Sequence, residues 1–392
     1  MKRILYLLSA VVFSTFSAQE IKTVQDSINP QKPLLNLENQ KFLKDIHVYL
    51  DMRLGFLNHF ENGRTDNFTE FRNSLVALGV QGKIHDKVNF RFRYRFNKNG
   101  EVQSLDMLDK AVELAFVDVK ILPKTNLQVG KMYAYFGGYE YDYNPIDILE
   151  YNDAINQLLN YVSGVGITQQ ISEQHKIGFQ ALNSRTMRYA DLYEGNVYDN
   201  VQEPKWPLAL VLNWQGKFFD NKLETIYSMS NFRVAKGHAS TYAFSLGHKY
   251  QVENLKVMYD FNYSHEQLDT KGILTEMIKG PKISEDATYI ENWFRAEYQI
   301  SPKIQTLLTL MTSNTYGKNV VSTTSGNNHL RTSYGIVPTV YYQPFKDIKL
   351  RFYLAYIARI YRFSDYARNQ LGISNYTTGE VQVGLSTPLW IF

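Results

Sequence analysis

The ten residues Val88–Asn97, V-N-F-R-F-R-Y-R-F-N, constrain this chain more than any other stretch. In an extended strand, successive side chains point to opposite faces. Val88, Phe90, Phe92, Tyr94 and Phe96 therefore share one face, and Asn89, Arg91, Arg93, Arg95 and Asn97 the other. A soluble sandwich strand has one wet face too, but rarely three arginines in line opposite four aromatics. The pattern suits a strand between lipid and a water-filled lumen, because an arginine on the lipid side costs roughly 2–4 kcal/mol at mid-bilayer. Such a strand belongs in the wall of a transmembrane barrel.

The start of the chain agrees with export. Lys2 and Arg3 precede an apolar run from Ile4 to Phe13, and small residues follow to Ala18. This predicts a signal peptide over 1–18, cut after Ser17 or Ala18, since the run is too short to span a bilayer as a helix. Residues 19–45, polar and holding Pro30 and Pro33, are expected to form a periplasmic lead-in. No later run approaches the roughly 20 apolar residues of a spanning helix. The mean hydropathy of −0.33 does not oppose a barrel, whose strands are only half apolar. Aromatic residues make up 14% of the chain and cluster in alternating segments, as interfacial girdles require. An exported chain with no cysteine excludes a disulfide scaffold and thiol chemistry. The net charge of +4 falls to +2 without Lys2 and Arg3, which gives no support to nucleic-acid binding.

Alternating segments recur over 46–57, 70–83, 88–97, 110–122, 127–138, 160–172, 175–185, 206–217, 222–232, 239–250, 255–264, 287–299, 303–314, 329–343, 348–361 and 376–392. Sixteen is an even number, as single-chain bacterial barrels require. Short turns such as His85-Asp86-Lys87 and Ser301-Pro302 take turns with long polar loops. The expected fold is all-β, a 16-stranded antiparallel transmembrane barrel over 46–392, with the short turns on the periplasmic side. A soluble propeller would not explain the strict alternation of short and long connections. The end at Phe392 resembles the terminal aromatic of outer-membrane barrels, although its parity requires a bulge at Pro388.

Two features bear on function. Arg91, Arg93 and Arg95 stand about 6.6 Å apart along one strand face, and such a row either guides anions or is balanced by carboxylates. Parity adds Arg53 and His47 in the first segment, and Lys349, Arg351 and Arg359 in the fifteenth, as inward candidates. The third long loop, from Gly138 to Tyr161, holds Glu140, Asp142, Asp147, Glu150 and Asp153 and no Lys or Arg. Ile148, Tyr151, Ile155, Leu158 and Leu159 recur at helical spacing after Pro145, so residues 144–160 are expected to enter the lumen with a short helix. Asp147, Glu150 and Asp153 would then face the wall arginines across a constriction. The alternative is a surface loop with a solvated acidic face.

Catalytic signatures are lacking: no HExxH, GxSxG or P-loop occurs, and the eight histidines do not group at metal-ligand spacing. No cofactor is expected. A barrel lipid hydrolase would need a Ser or Asp nucleophile beside a strand histidine, for which His47, His248 and His265 are the candidates. An adhesion or assembly platform is the other alternative, and it would be expected to carry larger external loops.

The block from Phe71 to Asn152 resembles the phosphate-selective porin O and P family. The resemblance is carried by Phe71-Arg72-Asn73-Ser74-Leu75, Gly79-Val80-Gln81-Gly82-Lys83, Val88–Phe96, Leu105–Leu108, Val112–Val119, Leu127-Gln128-Val129-Gly130-Lys131 and Phe136-Gly137-Gly138. It implies a trimeric sixteen-stranded outer-membrane channel of a Gram-negative bacterium, set in lipid, with a constricting third loop and an arginine-lined wall that passes anions. Phosphate-specific members line their constriction with lysines, and the third loop here has none. The expected function is a porin for small hydrophilic solutes with a modest anion preference.

Overall fold

The computed structural model describes residues 45–62, 67–199, 201–236, 240–318 and 328–391. The expected leader, nearly all of the lead-in and the terminal Phe392 lie outside these residues. The strands are β1 (Ile46–Asn62), β2 (Phe68–His85), β3 (Val88–Arg95), β4 (Val112–Leu122), β5 (Thr125–Tyr133), β6 (Tyr161–Gln170), β7 (His175–Asn183) and β8 (Leu208–Phe218). They continue as β9 (Leu223–Phe232), β10 (Thr241–Val252), β11 (Leu255–Leu268), β12 (Glu285–Ser301), β13 (Ile304–Gly317), β14 (His329–Tyr342), β15 (Arg351–Phe363) and β16 (Tyr376–Trp390). Each pairs antiparallel with its neighbours in sequence, and β1 with β16 closes the barrel. Closure leaves no strand edge unpaired, which a hydrocarbon environment demands.

All sixteen expected segments become strands, with shifts at their ends. β1 and β2 run on to Asn62 and back to Phe68, so the first long connection is shorter than the 58–69 expected. β5 stops at Tyr133 instead of 138, and Tyr135 N–H then donates to Gln180 Oε1 at 2.8 Å instead of extending the ladder. The β1–β16 register runs unbroken through Asp51↔Pro388 to Tyr49↔Trp390, so the bulge expected at Pro388 is not there.

Register fixes which residues share a face. Tyr49, Asp51 and Arg53 pair with Gly79, Ala77 and Leu75, and Gly79 and Ala77 pair in turn with Arg93 and Arg95. This row is the inner one, and Phe92 and Phe96 on the opposite parity are exposed. The outer face carries Leu210, Leu212, Leu308, Leu310, Val340, Leu354 and Val383. At the short-turn rim His175, Trp214, Phe218, Tyr227, His248 and Tyr259 form a continuous run of ring contacts, and the Tyr227 hydroxyl lies 2.8 Å from His248 Nε2. Such amphipathic rings suit the membrane–water boundary.

Candidate functional site

The inner wall is not uniformly polar. Met258, Trp293, Met311, Val337 and Ile357 occupy inward positions of β11 to β15, and each is at most 6% exposed. An open aqueous pore would wet these side chains, at a cost of roughly 1.5–3 kcal/mol for each large one. They are dry because Tyr139 and Ile148 of the β5–β6 connection lie on them. Across the barrel Phe136 and Tyr141 of the same connection cover Met132, Val162, Leu182, Ala209 and Val211. The connection therefore lies inside the barrel and touches walls on both sides. Gly138 is what permits this approach: a Cβ there would sit 2.5 Å from the Asp260 carboxyl carbon. Its φ of −93° is ordinary, so the glycine serves close contact and not a left-handed turn.

Within the connection α1 (Tyr139–Asp142), a 3-10 turn (Pro145–Asp147) and α2 (Asp153–Asn156) follow one another. The short helix expected within 144–160 is α2, but it begins at Asp153 and not directly after Pro145. Asn144 caps a single 3-10 turn through Ile146 N–H, and Ile148 is already extended. Ile148 and Ile155 are buried, whereas Leu159 is 42% exposed, so the apolar spacing does not mark one helical face.

Polar contacts anchor the connection to the wall. Arg53 Nη1 donates to the carbonyls of Pro145 (3.3 Å), Ile146 (3.4 Å) and Ile148 (2.5 Å). Arg295 Nη1 donates to Asp147 O at 2.9 Å, and Arg351 bonds the Asp147 carboxylate. Asp153 accepts from Arg331 at 2.6 Å, from Ser333 Oγ at 2.6 Å and from Arg359. Wall carboxylates take the free amides of the connection: Asp260 accepts from Glu140 N–H at 2.6 Å, and Glu291 from Ala154 N–H at 2.7 Å and Ile155 N–H at 3.1 Å. Buried charges and amides are tolerable only with such partners.

Asp147 and Glu150 lie on the connection, outside the spanning strands. Burial would raise the Asp147 carboxyl, but Arg351 overcomes this and holds it below the usual carboxylate range. Among the described residues Glu150 has only Arg359 Nε, at 3.9 Å, as an ion-pair partner, and burial pushes its carboxyl up to about 7.

Register puts Arg53, Arg351 and Arg359 on the same face as Arg91, Arg93 and Arg95, while Lys349 precedes β15. Asp147, Glu150 and Asp153 meet Arg331, Arg351 and Arg359, not the β3 arginines. The β3 row is balanced by wall acids instead. Arg93 lies 3.2 Å from Asp51 and 3.3 Å from Glu113, while Arg95 (3.7 Å) and Lys98 (2.8 Å) share Glu113. Arg91 bonds the Tyr49 hydroxyl at 3.5 Å and has no ion pair among the described residues. Sequence reasoning missed Asp51, Glu113, Asp260, Glu291, Arg295 and Arg331. The inward parity of their own segments, Glu291-Trp293-Arg295-Glu297 for example, was the available signal.

The strand histidines have ordinary partners: His265 Nδ1 meets Thr288 Oγ1 at 2.9 Å, His248 meets Tyr227, and His47 packs edge-on against Trp390. No carboxylate bonds these three rings among the described residues. Among the described residues no group of three His, Cys, Asp or Glu side chains could hold a metal.

A model of the phosphate-selective porin O and P family matches residues 46–383. Several solved structures share the fold. The outer-membrane channel DcaP of Acinetobacter baumannii is 11% identical over 87% of this chain and 97% of its own, with a TM-score of 0.58. An anion-selective porin from Comamonas acidovorans is 9% identical over 88% and 99%, with a TM-score of 0.56. OmpT of Vibrio cholerae in its trimer form is 8% identical over 87% and 100%, with a TM-score of 0.52. No curated protein matches the sequence.

Proposed function

The chain belongs to the phosphate-selective porin O and P family of outer-membrane barrels, and we propose that it is a passive diffusion channel for small hydrophilic solutes with a modest anion preference. The observation that carries the preference is the surplus of cations on the β3 wall: Arg91, Arg93, Arg95 and Lys98 against Asp51 and Glu113. An unbalanced positive wall raises the local concentration of anions and repels cations. Arg351 and Arg359 contribute less, because carboxylates of the third loop pair with them. That loop narrows the path. Asp147 and Asp153 spend their charge on wall arginines, while Glu150, with one long ion pair, opposes anion entry.

The channel works without a cofactor and without catalysis, as a homotrimer in outer-membrane lipid. The trimer reading is supported by the trimer form of the Vibrio cholerae relative. A chain exported behind the leader at 1–18 would reach that membrane. The test is single-channel recording in a planar bilayer, with the reversal potential measured in a salt gradient. A reversal potential on the anion side is expected, and one on the cation side would refute the preference.

A further inference from the structure

Beside the tip of the third loop lies a cavity of about 170 Å³, bounded by β1, β2, β15 and β16 and large enough for several waters. Its lining is charged in both senses. Arg53 bonds only neutral oxygens, Ser74 Oγ and three loop carbonyls, so no carboxylate cancels its charge among the described residues. Arg72, on the same cavity, is shared with Glu70 at the rim. Glu150 enters from the loop with a single long ion pair, and Glu380 enters from β16 with His59 at 3.4 Å and Gln382 as partners. Tyr353 and Gln382 add neutral hydrogen-bonding groups between these charges.

A cavity with an uncancelled cation and a weakly paired acid suits neither a simple anion nor a simple cation. A simple anion gains at Arg53 and loses at Glu150 and Glu380, while a simple cation does the reverse. A small zwitterion satisfies both. We propose that this cavity is a dipolar slot for small zwitterions of the α-amino-acid class, with the solute carboxylate toward Arg53 and Arg72 and its ammonium toward Glu150 and Glu380. The proposal rests on the channel reading above and adds the solute class that this part of the channel favours.

The full-length protein in liposomes tests it, with alanine, lactate and glycerol as zwitterionic, anionic and neutral probes of similar size. One added charge contact at a few ångströms in water predicts alanine entering about fivefold faster than glycerol. The E150Q/E380Q double variant should abolish that preference and speed lactate entry. An unchanged alanine-to-glycerol ratio in the double variant overturns the slot. A second measurement needs no variant: millimolar alanine should partly block the wild-type ion current, and a current unaffected by alanine counts against binding. Wild-type protein that conducts but shows equal alanine and glycerol rates refutes the slot alone. Wild-type protein without conductance refutes the channel as well.

Discussion

Arg91 and Arg93 are two residues apart on one strand face, yet their replacement should have opposite consequences. Arg91 has no ion pair among the described residues and bonds only the Tyr49 hydroxyl, so its charge acts on the passage. For an ion passing about 7 Å away in water, the interaction is ~0.6 kcal/mol before screening. A Debye length of roughly 30 Å at 0.01 M salt leaves ~0.5 kcal/mol, and roughly 8 Å at 0.15 M leaves ~0.25 kcal/mol. Anions and cations respond with opposite sign, so R91Q should lower the anion-to-cation permeability ratio about fivefold at low salt and about twofold at physiological salt. The barrel should unfold at the wild-type temperature. R93Q differs because Arg93 is 4% exposed between Asp51 and Glu113, each 1% exposed. Removing one partner of a buried pair costs roughly 3–5 kcal/mol, so R93Q should unfold well below the wild type in a heat-dependent electrophoretic mobility assay. Reversal potentials across a salt gradient read the first effect. Identical potentials for wild type and R91Q at 0.01 M would refute the argument that an uncompensated wall charge sets selectivity.

Deleting residues 144–158 should raise single-channel conductance, and an unchanged conductance would place the third loop outside the ion path. Because burial pushes Glu150 up to about 7, its charge is present above that pH and is lost as pH falls through it. Anion selectivity should therefore rise between pH 8 and pH 6, and E150Q should flatten this dependence; Arg359, Asp153, Glu380 and Arg53 are the charged groups that set the Glu150 environment. D153N removes the negative charge and one of the two acceptor oxygens used by Arg331, Arg359 and Ser333, and it should increase current noise as the α2 end of the loop loosens. Quiet recordings from D153N would show that the apolar contacts alone hold the loop.

The wall was legible in the sequence because each strand carries its own evidence. Alternation in Val88–Asn97 needs no distant residue to declare which side is wet, and the same holds for Glu291-Trp293-Arg295-Glu297 against Ile290 and Phe294. Strand ends were less legible, since Tyr133 leaves the ladder for a reason found in Gln180 of β7. Charge pairing was not legible at all. Asp153 finds Arg331 and Arg359 at separations of 178 and 206 residues, and nothing local in 139–160 distinguishes those partners from the arginines of β3.

The loop shows why a periodicity can mislead even where its residues matter. Ile148 is buried and Leu158 half-buried, and with the buried Ala154 between them they are spent on three separate patches of wall. Ile148 covers Trp293 and Met258, Ala154 packs with Leu274 and Leu330, and Leu158 lies against the group of Met132 and Val162. A chain that crosses a lumen must meet the wall wherever that wall is apolar, so the barrel dictates the spacing and a helix repeat does not. The inward Trp293 and Met258 carry the more specific message. A strand that puts large apolar residues on its wet parity requires something to cover them, and in a closed barrel only an inserted segment is available. Apolar side chains on the inner parity of β11 to β15, more than the helical spacing of 148–159, are what demand a folded-in third loop.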